Sequence, residues 1–412
     1  MGRYVTDSAS AAADLRLLFA TRIVRLFAYG LLSVVLVLYL STAGLSEGEI
    51  GLLLSATLLG DTVISLWLTT QADRAGRKRM LLLGSVLMVF AGGFFVFSRS
   101  FWLLLLAATV GVISPSGNEV GPFLAVEQAA LAQRVLPERR ISVFAWYNLV
   151  GSFATALGSL CGGILVSALQ RAGLTTYASY RAVVLAYAVL GLALALLFSR
   201  LSPAIEVAAP FRPRASLSHL GLTRSRRRVL TLAGLFSVDA FAGGFVVQAF
   251  LAYWFEQRFG ASPATLGAIF FGANLLAGIS ALTASRIAAR IGLLATMVVT
   301  HIPSNLLLMI VPLMPSLPWA ILVLLLRFSI SQMDVPTRQA YTMALVPSDE
   351  RAAAAGVTGI ARTVGAALSP LAAGPLYASA ALASVPFFFA GGIKIVYDLA
   401  IWRVFRRVPL PK

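Results

Sequence analysis

The residues of this sequence best suited to chemistry are charges set inside long apolar runs. Asp61 follows Gly60 and precedes Thr62 in the run 50–71. Asn118 and Glu119 stand within Ser114-Pro-Ser-Gly-Asn-Glu-Val-Gly-Pro122, and Glu127 falls two helical turns beyond Glu119, on the same face. Asp239 precedes the pair Gly243-Gly244 and Gln248. Arg327, Ser331, Asp334 and Arg338 are spaced to share one helix face, and Arg362 adds a further cation downstream. A charge at a helix centre costs about 2.5–3.5 kcal/mol on insertion scales, so it persists where it faces a cavity or a partner. A carboxylate in that setting can carry a proton or hold a cation. A guanidinium there can grip an anionic group through paired N–H donors. Asp61, Glu119, Glu127 and Asp239 are therefore expected to carry protons. Asn118, Arg327, Asp334, Arg338 and Arg362 are expected to bind substrate, with Asp334 holding Arg338 at i,i+4.

Other charges read as structural. Arg22 and Arg25, whose face Tyr29 and Ser33 continue, are expected to snorkel from the cytoplasmic end of the first run. Lys394 and Asp398 are spaced to pair with each other. His301, beside Thr300, Ser304 and Asn305, reads as helix-packing glue, and His219 as a solvated loop residue. Cys161 is the single cysteine, so no intramolecular disulfide is possible, and it reads as a small packing residue. The sequence has no HExxH pair, no Gly-x-Ser-x-Gly elbow and no P-loop. No enzymatic activity, metal or cofactor is expected, and ATP does not drive the protein directly.

The elements that must position these charges follow from composition. The chain has 412 residues, of which 59% are hydrophobic and 12% charged, with mean hydropathy +0.87. A soluble chain is about 45–50% apolar and about 25% charged, and it could not bury this much apolar side chain. A soluble enzyme, a disordered chain, a collagen and a disulfide scaffold are excluded. The net charge of +17 would suggest nucleic acid in a soluble protein. In a membrane protein it marks basic cytoplasmic loops, and no nucleic-acid partner is expected.

Spans of about 20 apolar residues are expected at 17–42, 50–71, 80–97, 101–131, 141–168, 180–199, 229–255, 264–288, 293–313, 319–346, 352–378 and 385–403. The first is too long for the apolar core of a cleaved signal. Two prolines and two glycines should break the fourth span, which is tolerated where backbone lines a cavity or is buried in protein. Pro336 should disrupt the tenth. Segment 200–228 is polar, basic and Pro-interrupted, and it splits the chain into an N-terminal bundle (1–199) and a C-terminal bundle (229–412). The basic residues then place both termini in the cytoplasm. Three local similarities relate the halves: Ala156–Leu165 with Ala367–Leu376, Ala72–Gly76 with Ala288–Gly292, and Pro137–Arg140 with Pro347–Arg351. A duplicated six-span unit is the arrangement of transporters whose site lies near mid-membrane.

At Asp73-Arg74-Ala75-Gly76-Arg77-Lys78-Arg79, between the second and third spans, the chain resembles the major facilitator superfamily, which carries Gly-x-x-x-Asp-Arg-x-Gly-Arg-Lys there. Thr69 departs from the family's first glycine. Twelve spans, the six-plus-six split and the degenerate second copy extend the resemblance over the whole chain. It implies an all-α membrane fold of two pseudo-symmetric six-helix bundles and a conformational latch at Asp73, Arg74, Gly76 and Arg77. Gly151, Gly158, Gly162 and Gly163 in the fifth span resemble the family's antiporter motif, with Ser159 in place of its proline. An arginine early in the fourth span, usual in its drug exporters, is missing. The expected function is a proton-coupled exporter of a small organic solute working by alternating access. The alternative is a proton symporter importing a small organic anion; a polytopic membrane enzyme is the remote one. Expected partners are the solute, protons and the lipid bilayer. A monomer in the inner (plasma) membrane is expected.

Overall fold

The structure is a computed structural model, and it describes residues 8–206, 222 and 224–408. The described residues are mainly helical, with no strand among them. In chain order the helices are α1 (Ser8–Ser33), α2 (Leu36–Thr42), α3 (Glu47–Ala75), α4 (Arg77–Phe97), α5 (Phe101–Val110), α6 (Phe123–Arg134), α7 (Pro137–Arg171) and α8 (Thr176–Ser199). They continue with α9 (Arg226–Gly244), α10 (Gln248–Phe259), α11 (Pro263–Ile291), α12 (Leu293–Ile310), α13 (Leu317–Phe328), α14 (Asp334–Leu345), α15 (Arg351–Tyr377) and α16 (Val385–Phe405).

Eight stretches among the described residues are long and apolar enough to cross a membrane, one of them α9 and α10 taken together, and α1 with α2, bent by 45°, makes nine. The twelve expected spans differ from this count for local reasons. The fourth span is split into α5 and α6, and the tenth into α13 and α14, so neither offers one long apolar helix. The eleventh span, α15, is long but carries Arg351 and Arg362. The tenth breaks at residues 329–333 rather than at Pro336, which sits in the first turn of α14, where a missing N–H leaves no helical bond unmade. The bend between α1 and α2 follows Ser33, whose hydroxyl donates back to the Gly30 carbonyl at 2.9 Å. Phe97, Trp102 and Val63 are among the large apolar side chains left exposed, as surfaces facing lipid require. Cys161 also lies exposed on α7, not in a packed interior as its neighbours in sequence suggested.

The chain divides into two compact units: residues 1–45, 60–212 and 262–271 in the first, and 46–59, 213–261 and 272–412 in the second. Within the first, α1 packs along α7 and α4 along α8; within the second, α9 packs along α15 and α12 along α16. The first and fifth spans of one unit thus pack as the seventh and eleventh do in the other. Close approach depends on small residues. A Cβ at Gly158 would overlap the Phe27 carbonyl, and one at Gly365 would overlap the Ser237 carbonyl. The second unit has an apolar core of Val229, Leu232, Phe236, Met297, Tyr341 and Leu345, closed by Ile401 and Phe405.

A prediction follows from the α1–α7 contact. Gly158→Ala should destabilise the protein by about 1–3 kcal/mol, because backbone rather than a flexible side chain must give way. Gly234→Ala on α9, where a Cβ meets nothing within 4 Å, is the control and should be neutral or slightly stabilising. Thermal unfolding of the purified protein in detergent compares the two, and equal melting temperatures would refute the packing argument.

The turn between α3 and α4 is built as its sequence suggests. Gly76 has φ +105°, a value that favours glycine. The Glu206 carboxylate accepts from the amides of Arg77 at 2.6 Å and Lys78 at 3.1 Å, so an anion caps the start of α4. The Arg77 side chain donates to Gln133 at 2.8 Å and to the Ile205 carbonyl at 3.1 Å. Arg74 is exposed. The Asp73 side chain, the centre of the expected latch, lies outside the described residues, as do Arg212, Arg214 and His219.

Candidate charge clusters within the two units

Each unit encloses its own charged cluster. In the first, Arg25 of α1 is fully buried and bridges two carboxylates. Its Nε donates to Glu119 at 2.8 Å, and its two terminal nitrogens donate to the two oxygens of Glu127 at 2.8 and 2.6 Å. Arg22, one turn earlier, also donates to Glu119. Glu127 accepts further from Thr21 Oγ1 at 2.8 Å and from the Tyr147 hydroxyl on α7. Arg22 lies 4.7 Å from the centroid of the Tyr147 ring, and Arg25 lies 4.8 Å from that of Phe123. The expectation that both arginines snorkel to the cytoplasmic surface is therefore wrong. Two guanidiniums and two carboxylates neutralise one another inside the unit, which removes the incentive to reach for water.

Glu119 does not belong to α6. It sits in the irregular segment 111–122, and its side chain is 15% exposed, while Glu127 lies on the helix and is fully buried. Their shared direction comes from Arg25 rather than from continuous helical spacing. Asn118, in the same segment, is exposed. Asp61, on α3, takes no arginine from α1. Its Oδ1 accepts from the Gly121 amide at 2.7 Å and from the Ser65 hydroxyl at 3.2 Å.

In the second unit Asp239 is a hub. Its Oδ1 accepts from Lys394 of α16 at 2.6 Å, and its Oδ2 accepts from Arg338 of α14 and Arg362 of α15, each at 3.2 Å. Arg338 also donates to Asp334 at 2.8 Å, the i,i+4 pair expected from sequence. The expected pair of Lys394 with Asp398 is not formed. Lys394 turns to Asp239, and Asp398 instead meets His301 Nδ1 at 2.9 Å. His301 of α12 thus ties its helix to α16 through Asp398, the packing role expected of it, and its Nε2 also lies 3.8 Å from Asp239 of α9. One helix supplies both Lys394 and Asp398, but different neighbours satisfy them: Asp239 of α9 holds Lys394 together with two arginines, and His301 of α12 meets Asp398.

Most of these side chains are nearly inaccessible, but Arg362 keeps 33% of its side chain exposed. Arg327 stands apart from the hub. The helix ends at Phe328, so Arg327 and Ser331 do not continue the face of Asp334 and Arg338. Arg327 Nε is buried without a hydrogen-bond partner, and its guanidinium lies 4.9 Å from the Phe328 ring centroid.

The sequence reading missed Arg22, Arg25, Tyr147, His301, Lys394 and Asp398 as cluster members. A charge match was visible for the first unit: two basic residues in the first span against two acidic residues in the fourth.

Comparisons with known proteins agree with this architecture. The family model described as Major Facilitator Superfamily matches residues 18–370. A Saccharomyces cerevisiae protein, "Uncharacterized membrane protein YJR124C", is 31% identical over 95% of this chain and 94% of its own length. The quinolone resistance protein NorA of Staphylococcus aureus is 25% identical over 34% of this chain and 35% of its own. Among solved structures, the nucleoside transporter NupG superposes with a TM-score of 0.76 at 14% identity, covering 95% of this chain and 99% of that one, a likeness of fold alone. With two bundled units of matching internal packing and a family model spanning most of its length, this multi-pass membrane chain belongs to the major facilitator superfamily of transporters.

Proposed function

We propose that the protein is a secondary active, proton-coupled transporter that exports a small organic solute in exchange for protons by alternating access. The observation carrying this reading is the difference between the intramembrane carboxylates. Glu119, Glu127 and Asp239 are clamped by cations, whereas Asp61 is held by an amide and a hydroxyl, with no cation bonded to it among the described residues. A carboxylate without a counter-ion is the group best placed to gain and lose a proton during a cycle. Glu119, partly exposed, is the second carrier, and Glu127 and Asp239 are reserve candidates that need their cations displaced. Asn118, Arg327, Asp334, Arg338 and Arg362 form the substrate-binding set. A proton that neutralises a carboxylate removes its hold on a neighbouring group, which gives coupling through different affinities in two states. Asp73, Arg74, Gly76 and Arg77 act as the latch of one state. Its partners in this reading are the solute, protons and the lipid bilayer, for a monomer in the inner (plasma) membrane with both termini cytoplasmic.

One observation favours a second reading, a proton symporter importing a small organic anion. Arg362 shares Asp239 with two other cations and is the one with a third of its side chain exposed, so an anionic solute could replace Asp239 on it.

Inverted vesicles with a pH-sensitive dye, challenged with a panel of small organic acids, bases and neutral solutes, test both. Solute-evoked proton release through the wild type, lost in Asp61→Asn, supports exchange, and proton uptake of opposite sign supports symport. Proton movement unchanged in both Asp61→Asn and Glu119→Gln would overturn the carrier assignment.

A further inference from the structure

We propose that Asp61 is also a positioning residue: its carboxylate pins the irregular segment 111–122 in the shape that displays Asn118 and seats Glu119 between Arg22 and Arg25. The pinning stands on geometry alone; only its link to protons rests on the function proposed above.

The twelve residues between α5 and α6 form no helix inside a membrane-spanning unit, and only their ends, through the Gly111 amide and the Pro122 carbonyl, join the helical bonding of α5 and α6. Their backbone groups need partners, because no lipid can supply them. Pro115 and Pro122 forbid a return to continuous helix, and Gly117 (φ +71°) and Gly121 (φ +82°) adopt left-handed values. Side chains from four helices and from the segment itself supply the missing bonds. Tyr187 of α8 donates to the Val112 carbonyl, and Ser114 to that of Asn118 at 2.7 Å. Thr155 of α7 donates to the Gly117 carbonyl at 3.3 Å and Tyr29 of α1 to that of Val120 at 3.2 Å. Those four clamps are neutral hydroxyl donors. The fifth, Asp61 of α3, is an acceptor and a charge, taking the Gly121 amide at 2.7 Å. Ser65, one turn along α3, donates to the same oxygen at 3.2 Å and fixes its direction.

Hydrogen bonds to an ionised group are about twice as strong as neutral ones, so Asp61 is the strongest single clamp at the α6 end of the segment. Its bond falls two residues after Glu119 and three after Asn118. The groups facing Asp61 are Ser65 on its own helix, Gly121 and Glu119 on the segment, Tyr29 from α1 and Tyr187 from α8. Loss of the negative charge leaves an acceptor in place but weakens it. A proton arriving at Asp61 therefore loosens the backbone that presents Asn118 and Glu119, which carries a protonation event on α3 into the substrate-binding set of the same unit.

Hydrogen–deuterium exchange of the full chain in lipid nanodiscs tests this without any solute. The variants are Asp61→Asn, which keeps a neutral acceptor of the same shape, and Asp61→Ala, which has none. Exchange in peptides covering 111–122 should rise roughly tenfold in Asp61→Ala, the loss of one charge-assisted bond, and by a smaller factor in Asp61→Asn. Peptides from α9 and α12 should match the wild type. Should Asp61→Ala fail to fold, the nearly isosteric Asp61→Asn still decides the matter through its increase confined to this segment. Exchange in 111–122 equal to wild type in Asp61→Asn, or raised equally across all helices of the first unit, would overturn the proposal. Failure of proton coupling in the vesicle assay leaves the exchange pattern untouched, so the two ideas fall separately.

Discussion

Asp239→Asn is expected to destabilise the protein by about 3–5 kcal/mol, the range for breaking a buried ion pair from one side. The size follows from the number of groups that depend on one carboxylate. Lys394, Arg338 and Arg362 all donate to it, and His301 lies 3.8 Å away. Arg338 retains Asp334, so it is partly compensated after the change. Arg362, with a third of its side chain exposed, can turn toward water. Lys394 has neither remedy: it is 8% exposed, and Asp239 is the acceptor of its ammonium. Lys394→Met should therefore restore part of the loss when combined with Asp239→Asn, because it removes the stranded charge and keeps the apolar stem. Unfolding of the purified single and double variants in mixed micelles measures the coupling. If Asp239→Asn falls within about 0.5 kcal/mol of wild type, the hub is not the electrostatic centre of its unit.

The transmembrane architecture was legible because hydropathy is an additive, local quantity. Twelve apolar runs, the basic break after Ser199 and the small-residue pattern of the fifth span all come from residue types at neighbouring positions. The broken fourth span was also legible in outline, since Pro115 and Pro122 interrupt helical hydrogen bonding and Gly117 and Gly121 weaken the helix between them, and Pro336 signalled a break in the tenth. The break of the tenth span was harder to place: Pro336 points to itself, but a proline in a first turn costs nothing, and the helix yields at 329–333 instead.

Partner choice was the part that sequence concealed. The i,i+4 rule predicts Asp334 with Arg338 and is right; the same rule predicts Lys394 with Asp398 and is wrong. The difference lies in the surroundings. On an exposed helix such a pair competes only with water and contributes a few tenths of a kcal/mol. Inside a bundle each charge is drawn to whichever arrangement satisfies the most groups at once, and α9 offers Asp239 to three helices together. Arg22 and Arg25 illustrate the same point, since snorkelling is the best option only for a charge with no buried partner. Their partners are about a hundred positions away in sequence.

Replacement of Arg25 should be the most damaging single change in the first unit, and the form of its bonds predicts an order among variants. Arg25→Gln removes the cation that bridges Glu119 and Glu127, leaving Glu127 fully buried with only neutral donors, Thr21 and Tyr147. A loss of about 3–5 kcal/mol is expected. Arg25→Lys keeps the charge but cannot reach two carboxylates with a fixed fork, so it should lie between Arg25→Gln and wild type. Glu127→Gln should cost less than Arg25→Gln, because Glu119 still compensates Arg25 and the amide oxygen can still accept from Tyr147 or Thr21. Thermal unfolding of the three variants in one detergent gives the ranking directly. An Arg25→Lys protein as stable as wild type would show that charge alone holds the cluster. An Arg25→Gln protein no worse than Glu127→Gln would show that α1 and α6 are held together by their apolar packing, with the ions contributing little.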